Sequence, residues 1–143
     1  PYCNENYKEI LRMFLFCCFT GLRHSDVQKL TMENIIENTL VFTAEKTKKF
    51  QRFRINEAAL KFIGTEKKLF QNFTNEYINR ELKLIAKAIG LEKVLTFHVS
   101  RHSFATNFLI RGGRVEVLQK ILGHSKIEDT MIYVHIAEEE VVV

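Results

Sequence analysis

Apolar residues crowd the first part of the chain. The stretch "EILRMFLFCCFTG" leaves almost no polar face, which predicts a helix over about Asn6 to Thr20, buried on most sides and stopped near Gly21. "HSDVQKL" follows as a second short helix, with Ser25 placed to cap it. The pattern then changes period. "ENIIEN", "TLVFTAE" and "FQRFRI" are three short β-type runs. In the last of them Phe50, Arg52 and Arg54 alternate with Gln51, Phe53 and Ile55, as on a half-buried strand. Between the second and third runs, "KTKK" reads as a basic hairpin tip. From there the period is helical again. "NEAALKFI" is a short helix capped by Asn56. "TNEYINRELKLIAKAIG" is a longer one, capped by Thr74 or Asn75, with Ile78, Leu82, Ile85 and Ile89 on one stripe and Gly90 at its end. "HVSRHSFATNFLIRGG" is a helix closed by Gly112 and Gly113, and "RVEVLQKILGH" one that ends at Gly123. "IEDTMIYVHIAEEE" is the last, with Asp129 near its start. The predicted fold class is mainly α, with helices around one small three-stranded antiparallel β-sheet.

Composition narrows the class. The 143 residues suffice for one domain with a real core, and no repeat or low-complexity segment divides them. With 46% hydrophobic and 27% charged residues the chain is a folded globule and not a disordered tail. Twelve Phe and no Trp make phenylalanine the expected core filler. The apolar run "ILRMFLFCCFTGL" contains Arg12 and falls short of the roughly 20 residues a bilayer span needs, so a buried helix is expected and no membrane partner. A signal peptide is not indicated either. Helical pattern begins almost at once, which suggests a domain cut from a longer protein. Cys17 and Cys18 are adjacent inside the apolar run, a poor arrangement for a disulfide framework or for zinc. Together with Cys3 they read as reduced residues of a cytoplasmic protein. A net charge of +4 permits a nucleic-acid partner without demanding one.

The candidate chemistry lies in polar residues set among apolar ones. Arg23 follows a helix-terminating glycine in "TGLRHSD". His98 and Arg101 share one face of a first helical turn in "FHVSRHSFATNFL". A helix start is already an anion site, and an arginine there adds bidentate contacts suited to a phosphate. His98 and His102 have the i, i+4 spacing of metal ligands, yet no carboxylate or cysteine accompanies them, so no metal and no cofactor is expected. Singly, each residue has a plainer reading: Arg23 as a surface group, "KTKK" as a solvated tip, Tyr133 as packing. Their order and spacing argue otherwise. Arg23 comes first and then Lys46. Arg101 lies three residues after His98, His124 twenty-three after Arg101, and Tyr133 nine after His124.

This set resembles the catalytic domain of the tyrosine recombinase, or phage integrase, family. The stretches that carry the resemblance are "TGLRHSDVQKL", "FHVSRHSFATNFLIRGG", "VLQKILGHS" and "TMIYVHI", from about Ile10 to Ile136. The resemblance implies that residues 1–143 form a single catalytic domain of the DNA breaking-rejoining type, without the N-terminal core-binding domain of such proteins. It implies a site-specific recombinase acting on double-stranded DNA through a 3′-phosphotyrosine, without metal or ATP. Arg23 and Arg101 would hold the oxygens of the scissile phosphate. His98 and His124 would bond that phosphate and help move protons. Lys46 would protonate the leaving 5′ oxygen, and Tyr133 would be the nucleophile. Lys48, Lys49, Arg52 and His102 are the candidate DNA contacts. The hairpin "KTKKFQRFRIN" lacks the glycine that often follows "KT" in the family, which leaves Lys48 or Lys49 open as the acid. Four protomers on DNA are implied, with the isolated domain monomeric. The alternatives are strand relaxation of the type IB topoisomerase kind and a non-catalytic DNA-binding relic.

The residue types suit the chemistry independently. A tyrosine hydroxyl with a reference pKa of about 10 needs help to attack at neutral pH. Nearby guanidinium groups favour the phenolate and stabilise the charge that develops on phosphorus. A covalent phosphodiester link keeps its bond energy, so a 5′ hydroxyl can reverse the step.

Overall fold

A computed structural model describes residues 5–140. Seven α-helices and three strands run in the order α1 (Glu5–Thr20), α2 (His24–Val27), β1 (Ile35–Ile36), β2 (Thr39–Thr43), β3 (Phe50–Arg54), α3 (Glu57–Leu60), α4 (Asn75–Ala88), α5 (His98–Ile110), α6 (Val115–Leu122) and α7 (Glu128–Glu140). One 3-10 turn, Met32–Asn34, leads into β1. The mainly helical class with one three-stranded antiparallel sheet, in the order β1-β2-β3, is what the sequence pattern predicts.

The all-round apolarity of α1 has a structural cause: the helix is the centre of the molecule. Ile10, Met13, Phe16 and Cys17 are completely buried, and α3, α4 and α5 pack around them. Phe16 and Phe70 meet at 5.2 Å between ring centres, and Phe14 meets Phe97 edge-on at 6.1 Å. Burying each such ring contributes roughly 1.5–3 kcal/mol. Arg12 sits in this helix as a tether. Its guanidinium donates to the carbonyls of Phe62 and Leu69 and lies 4.4 Å from the Phe70 ring, pinning the long loop before α4. No helix among the described residues is long and apolar enough to cross a membrane. Cys17 and Cys18 are free thiols, and Cys3 lies outside the described residues.

The sheet is built from local turns. Glu37 and Asn38 both adopt positive φ, 50° and 61°, which closes the two-residue turn between β1 and β2. In β3, Gln51 is buried and Phe53 half-buried, while Phe50, Arg52 and Arg54 face solvent, the alternation expected. Asn56 caps α3 by accepting from the Ala59 amide, and Thr74, the first of the two candidates, caps α4 by accepting from Tyr77.

Two expected details are corrected. Ser25 does not cap α2. The cap position is Arg23, whose extended backbone (φ −78°, ψ 154°) presents its carbonyl to the amides of Asp26 and Val27. Ile89 does not complete the buried stripe of α4. Ile78, Leu82 and Ile85 are buried, but Ile89 is the helix's C-terminal cap and is 67% exposed, because the chain turns away through Gly90 at φ +77°.

Candidate active site

The site forms where the ends of α1 and α6, the start of α5 and the middle of α7 converge. Gly21 makes this possible. It ends α1 at φ +76°, its amide bonded to the Cys17 carbonyl at 2.8 Å. Its own carbonyl faces α5 and accepts from Arg101 Nη1 at 2.7 Å. Arg101 Nη2 donates to the carbonyl of Leu122, the last residue of α6. Arg23 Nη2 shares that Leu122 carbonyl at 3.3 Å. One backbone oxygen therefore holds both arginines side by side. Arg101 is 4% exposed. Burial, and then the neighbouring Arg23 charge, lower its pKa to about 10. The pair joins a buried cation, Arg101, to a half-buried one, Arg23, with no carboxylate among the described residues bonded to either.

The side chains, more than the helix start, make this anion site. The amides of Val99 and Ser100 bond the carbonyls of Thr96 and Phe97, and the Phe97 amide bonds Asn79 Oδ1 at 2.8 Å. A helix start is expected to add to the anion site, but these three amides already have partners.

Two histidines and the hairpin frame the arginines. His124 follows Gly123, whose φ of +75° closes α6 and aims the chain back across the site. His124 Nδ1 lies 2.8 Å from the hydroxyl of the fully buried Thr130 on α7, which fixes its ring. His98 stands edge-on to His102 at 4.6 Å between ring centres. Both His98 and His124 have lowered pKa values, first through burial, and the charges of Arg101, Arg23 and Lys46 push the same way. Lys46 is therefore close enough for its charge to act on both rings.

The three hairpin lysines are separated by their partners. Lys48 pairs with Glu45 at 3.5 Å. Lys49 Nζ donates to Gly123 O at 3.3 Å and to Ser125 Oγ at 3.1 Å, which docks the hairpin on the end of α6. Lys46 is exposed and has no such partner among the described residues. Buried Asp26 anchors the base of the same hairpin by accepting from the Glu45 amide at 2.9 Å. Arg52 is not brought to this cluster. It lies on the outer face of β3, opposite Gln51, which lines the cleft with Arg23, Asp26 and Arg101.

Tyr133 is packed in the core, and its hydroxyl is also turned to a polar partner. Its ring is 3% exposed and belongs to a second apolar cluster with Ala105, Leu118 and Leu122. Its hydroxyl reaches His102 Nδ1 at 2.5 Å. Burial raises its pKa, while Arg101 and then Arg23 pull it down. The hydroxyl is thus within the field of the arginine pair, and tyrosine and arginines come from one chain. No three His, Cys, Asp or Glu side chains among the described residues group as metal ligands.

Sequence reading missed Thr130, Asp26 and the His102–Tyr133 contact. Thr130 had a signal, since it lies one turn before Tyr133 on the same helix face. Asp26 was visible as an acid beside an arginine, but its task is to hold a hairpin eighteen or more residues away, which spacing does not disclose.

This fold is that of the tyrosine recombinase catalytic domains. The chain belongs to the phage integrase family, whose match runs over residues 2–140. It is 38% identical over 130 residues to the integrase of Escherichia phage P2, covering 90% of this chain and 38% of that protein. The catalytic domain of bacteriophage HP1 integrase superposes with a TM-score of 0.69 at 29% identity, covering 95% of this chain and 88% of that one. A crystal structure of XerA recombinase gives 0.72 at 25% identity, covering 98% and 61%. The chain spans little more than a third of the length of the phage integrases it matches first.

Proposed function

We propose that the chain is the catalytic domain of a site-specific DNA recombinase that cleaves and rejoins double-stranded DNA through a 3′-phosphotyrosine on Tyr133. In this reading Arg23 and Arg101 take the non-bridging oxygens of the scissile phosphate, which replaces the water their burial removed. His98 and His124, neutral at pH 7 because their pKa values are lowered, donate hydrogen bonds to the same phosphate. The Tyr133 oxygen attacks phosphorus, the bond to the 5′ oxygen breaks, and Lys46 supplies its proton. Religation runs the same steps backward, with a 5′ hydroxyl as nucleophile and Tyr133 as leaving group. Lys46 suits the acid better than Lys48 or Lys49, since those two are engaged with Glu45 and with Gly123 and Ser125. Lys49 and Lys48 remain candidate DNA contacts at the hairpin tip, and Arg52 one on the outer sheet face. Assembly of further protomers on DNA and a cytoplasmic setting belong to the same proposal. Free Cys17 and Cys18 suit the latter.

The observation that carries the reading is the Tyr133 hydroxyl lying in the field of the buried Arg101 and of Arg23 beside it. The test is covalent trapping. The full-length protein is mixed with a pool of nicked DNA duplexes from the flanks of its gene, with Tyr133→Phe in parallel, and run on denaturing gels. A protein–DNA adduct that disappears with Tyr133→Phe is expected. A folded, DNA-binding wild type that yields no adduct would overturn the reading.

A further inference from the structure

His102 follows Arg101 directly and has no role in the mechanism above. Its position says more. The side chain is half-buried between α5 and α7, and its Nδ1 lies 2.5 Å from the Tyr133 hydroxyl. The two rings are tilted by 43° with centres 5.4 Å apart, and in the tautomer with its proton on Nε2 the Nδ1 atom accepts from the hydroxyl. Among the described residues this nitrogen is the hydroxyl's one hydrogen-bond partner.

Resting on the recombinase reading, we propose that His102 is a catalytic residue: the base that takes the Tyr133 proton as the tyrosine attacks phosphorus and returns it when the strand is rejoined. In the forward step the Tyr133 O–H bond breaks and its proton passes to His102 Nδ1. The Oη–P bond forms, the bond from phosphorus to the 5′ oxygen breaks, and that oxygen takes a proton from Lys46. His102 ends as imidazolium and Lys46 as amine, so charge balances. Rejoining reverses each transfer.

The surroundings agree. The charged and titratable groups facing the pair are Arg101 and His98 from α5 and Arg23 from the start of α2, besides each other. Burial and the Arg101 charge lower the His102 pKa, so its imidazole is neutral at pH 7 and has an acceptor nitrogen. Burial raises the Tyr133 pKa, so little phenolate exists for attack without a base. Free proton transfer between the two is uphill, which is why it accompanies formation of the bond to phosphorus and does not precede it. Within the site this divides labour: His98 and His124 face the phosphate, whereas His102 faces the nucleophile.

The experiment uses single-turnover cleavage of the nicked duplex recovered by trapping, measured from about pH 5 to pH 10. His102→Asn keeps a polar atom near the Nδ1 position but cannot take a proton. Its rate at pH 7 is expected about a hundredfold below wild type. The wild-type rate falls as pH drops through the lowered His102 pKa, because the basic form is then lost. The His102→Asn rate climbs with pH as phenolate forms, so the gap closes toward alkaline pH. His102→Ala, which leaves a hole, should regain activity with added imidazole, and retained DNA binding reports its fold. A uniform loss at every pH without imidazole rescue would make His102 a structural support and overturn the proposal. So would a His102→Asn rate equal to wild type. Absence of adduct from wild type would instead remove the recombinase reading itself, and the proposal with it.

Discussion

Gly21→Ala tests the junction on which the site rests. At φ +76° an added Cβ meets its own backbone, a strain of about 1 kcal/mol relative to glycine. The same Cβ would lie 2.5 Å from Phe104 Cδ2 and 3.0 Å from Cε2. Phe104 is not locked in place, since it lines open grooves on both sides, with Phe108 as its ring neighbour at 5.9 Å. The ring therefore yields, at roughly 1–2 kcal/mol. The lost freedom of the unfolded chain returns about 0.4–1 kcal/mol. The net cost is about 2 kcal/mol, or a melting shift of about 8 °C for a chain of this size. Urea denaturation should show a lower midpoint at an unchanged slope. The clash and the backbone strain separate in a cycle with Phe104→Leu: the double variant should recover about 1 kcal/mol of the sum of the singles. Cleavage should fall by more than stability explains, because the Gly21 carbonyl that accepts from Arg101 moves with the backbone. A Gly21→Ala midpoint within error of wild type, with no coupling to Phe104, would refute this account of the junction.

Other consequences are as direct. Lys46→Ala should lose cleavage and regain it on a duplex whose 5′ bridging oxygen is replaced by sulfur, a leaving group that needs no acid; restoration of Lys48→Ala or Lys49→Ala instead would move the assignment. Arg101→Met removes a cation whose pKa is held at about 10, roughly 3 kcal/mol of unfavourable ionisation, and leaves the Gly21 carbonyl short of a donor at about 1–3 kcal/mol, while the Leu122 carbonyl keeps Arg23. Its urea stability should thus stay within about 2 kcal/mol of wild type while single-turnover cleavage drops at least a hundredfold; a loss above 5 kcal/mol would show that Arg101 is first a structural tie. Asn56→Ala should cost about 1–2 kcal/mol in the same denaturation assay, since its side chain both caps α3 and donates to the Phe19 carbonyl at 2.9 Å; an unchanged midpoint would show that α3 does not depend on its cap.

The parts of this protein legible in its sequence are those set by local rules. The hairpin alternation of β3, the caps Asn56 and Thr74, and the glycine ends of α1 and α6 all follow from neighbours within four or five residues. The misses are tertiary. Ile89 has the periodicity of a core residue, but whether a stripe's last member is covered depends on where the following chain goes, and here Gly90 takes it away. Ser25 has the chemistry of a cap, yet the turn from Gly21 re-enters the helix two residues too early for it. Six candidate positions could be read from order and spacing through the resemblance, because they sit at the ends of elements the sequence marks. The ties between them, Leu122 O to both arginines, Thr130 to His124 and His102 to Tyr133, join residues from six to ninety-nine positions apart and carry no local pattern.

Those ties also explain why the site is built at helix ends. A carbonyl inside a helix already has its partner, so Gly21 and Leu122 can accept from arginines because α1 and α6 end there. The two arginines gain a rigid seat from acceptors that carry no full charge. A carboxylate in the same place would neutralise them and compete with a phosphate. Buried Asp26 lies in the same cleft, where one oxygen accepts from the Glu45 amide and its charge offsets only part of the depression of the Arg101 pKa. Arg101 is accordingly left with a depressed pKa, destabilised in the free protein in the sense that a bound phosphate would correct. Folding energy elsewhere, chiefly the apolar packing around α1, sustains that imbalance. An anion bound there would relieve that cost, and by linkage it would raise the stability of the protein in step with its affinity.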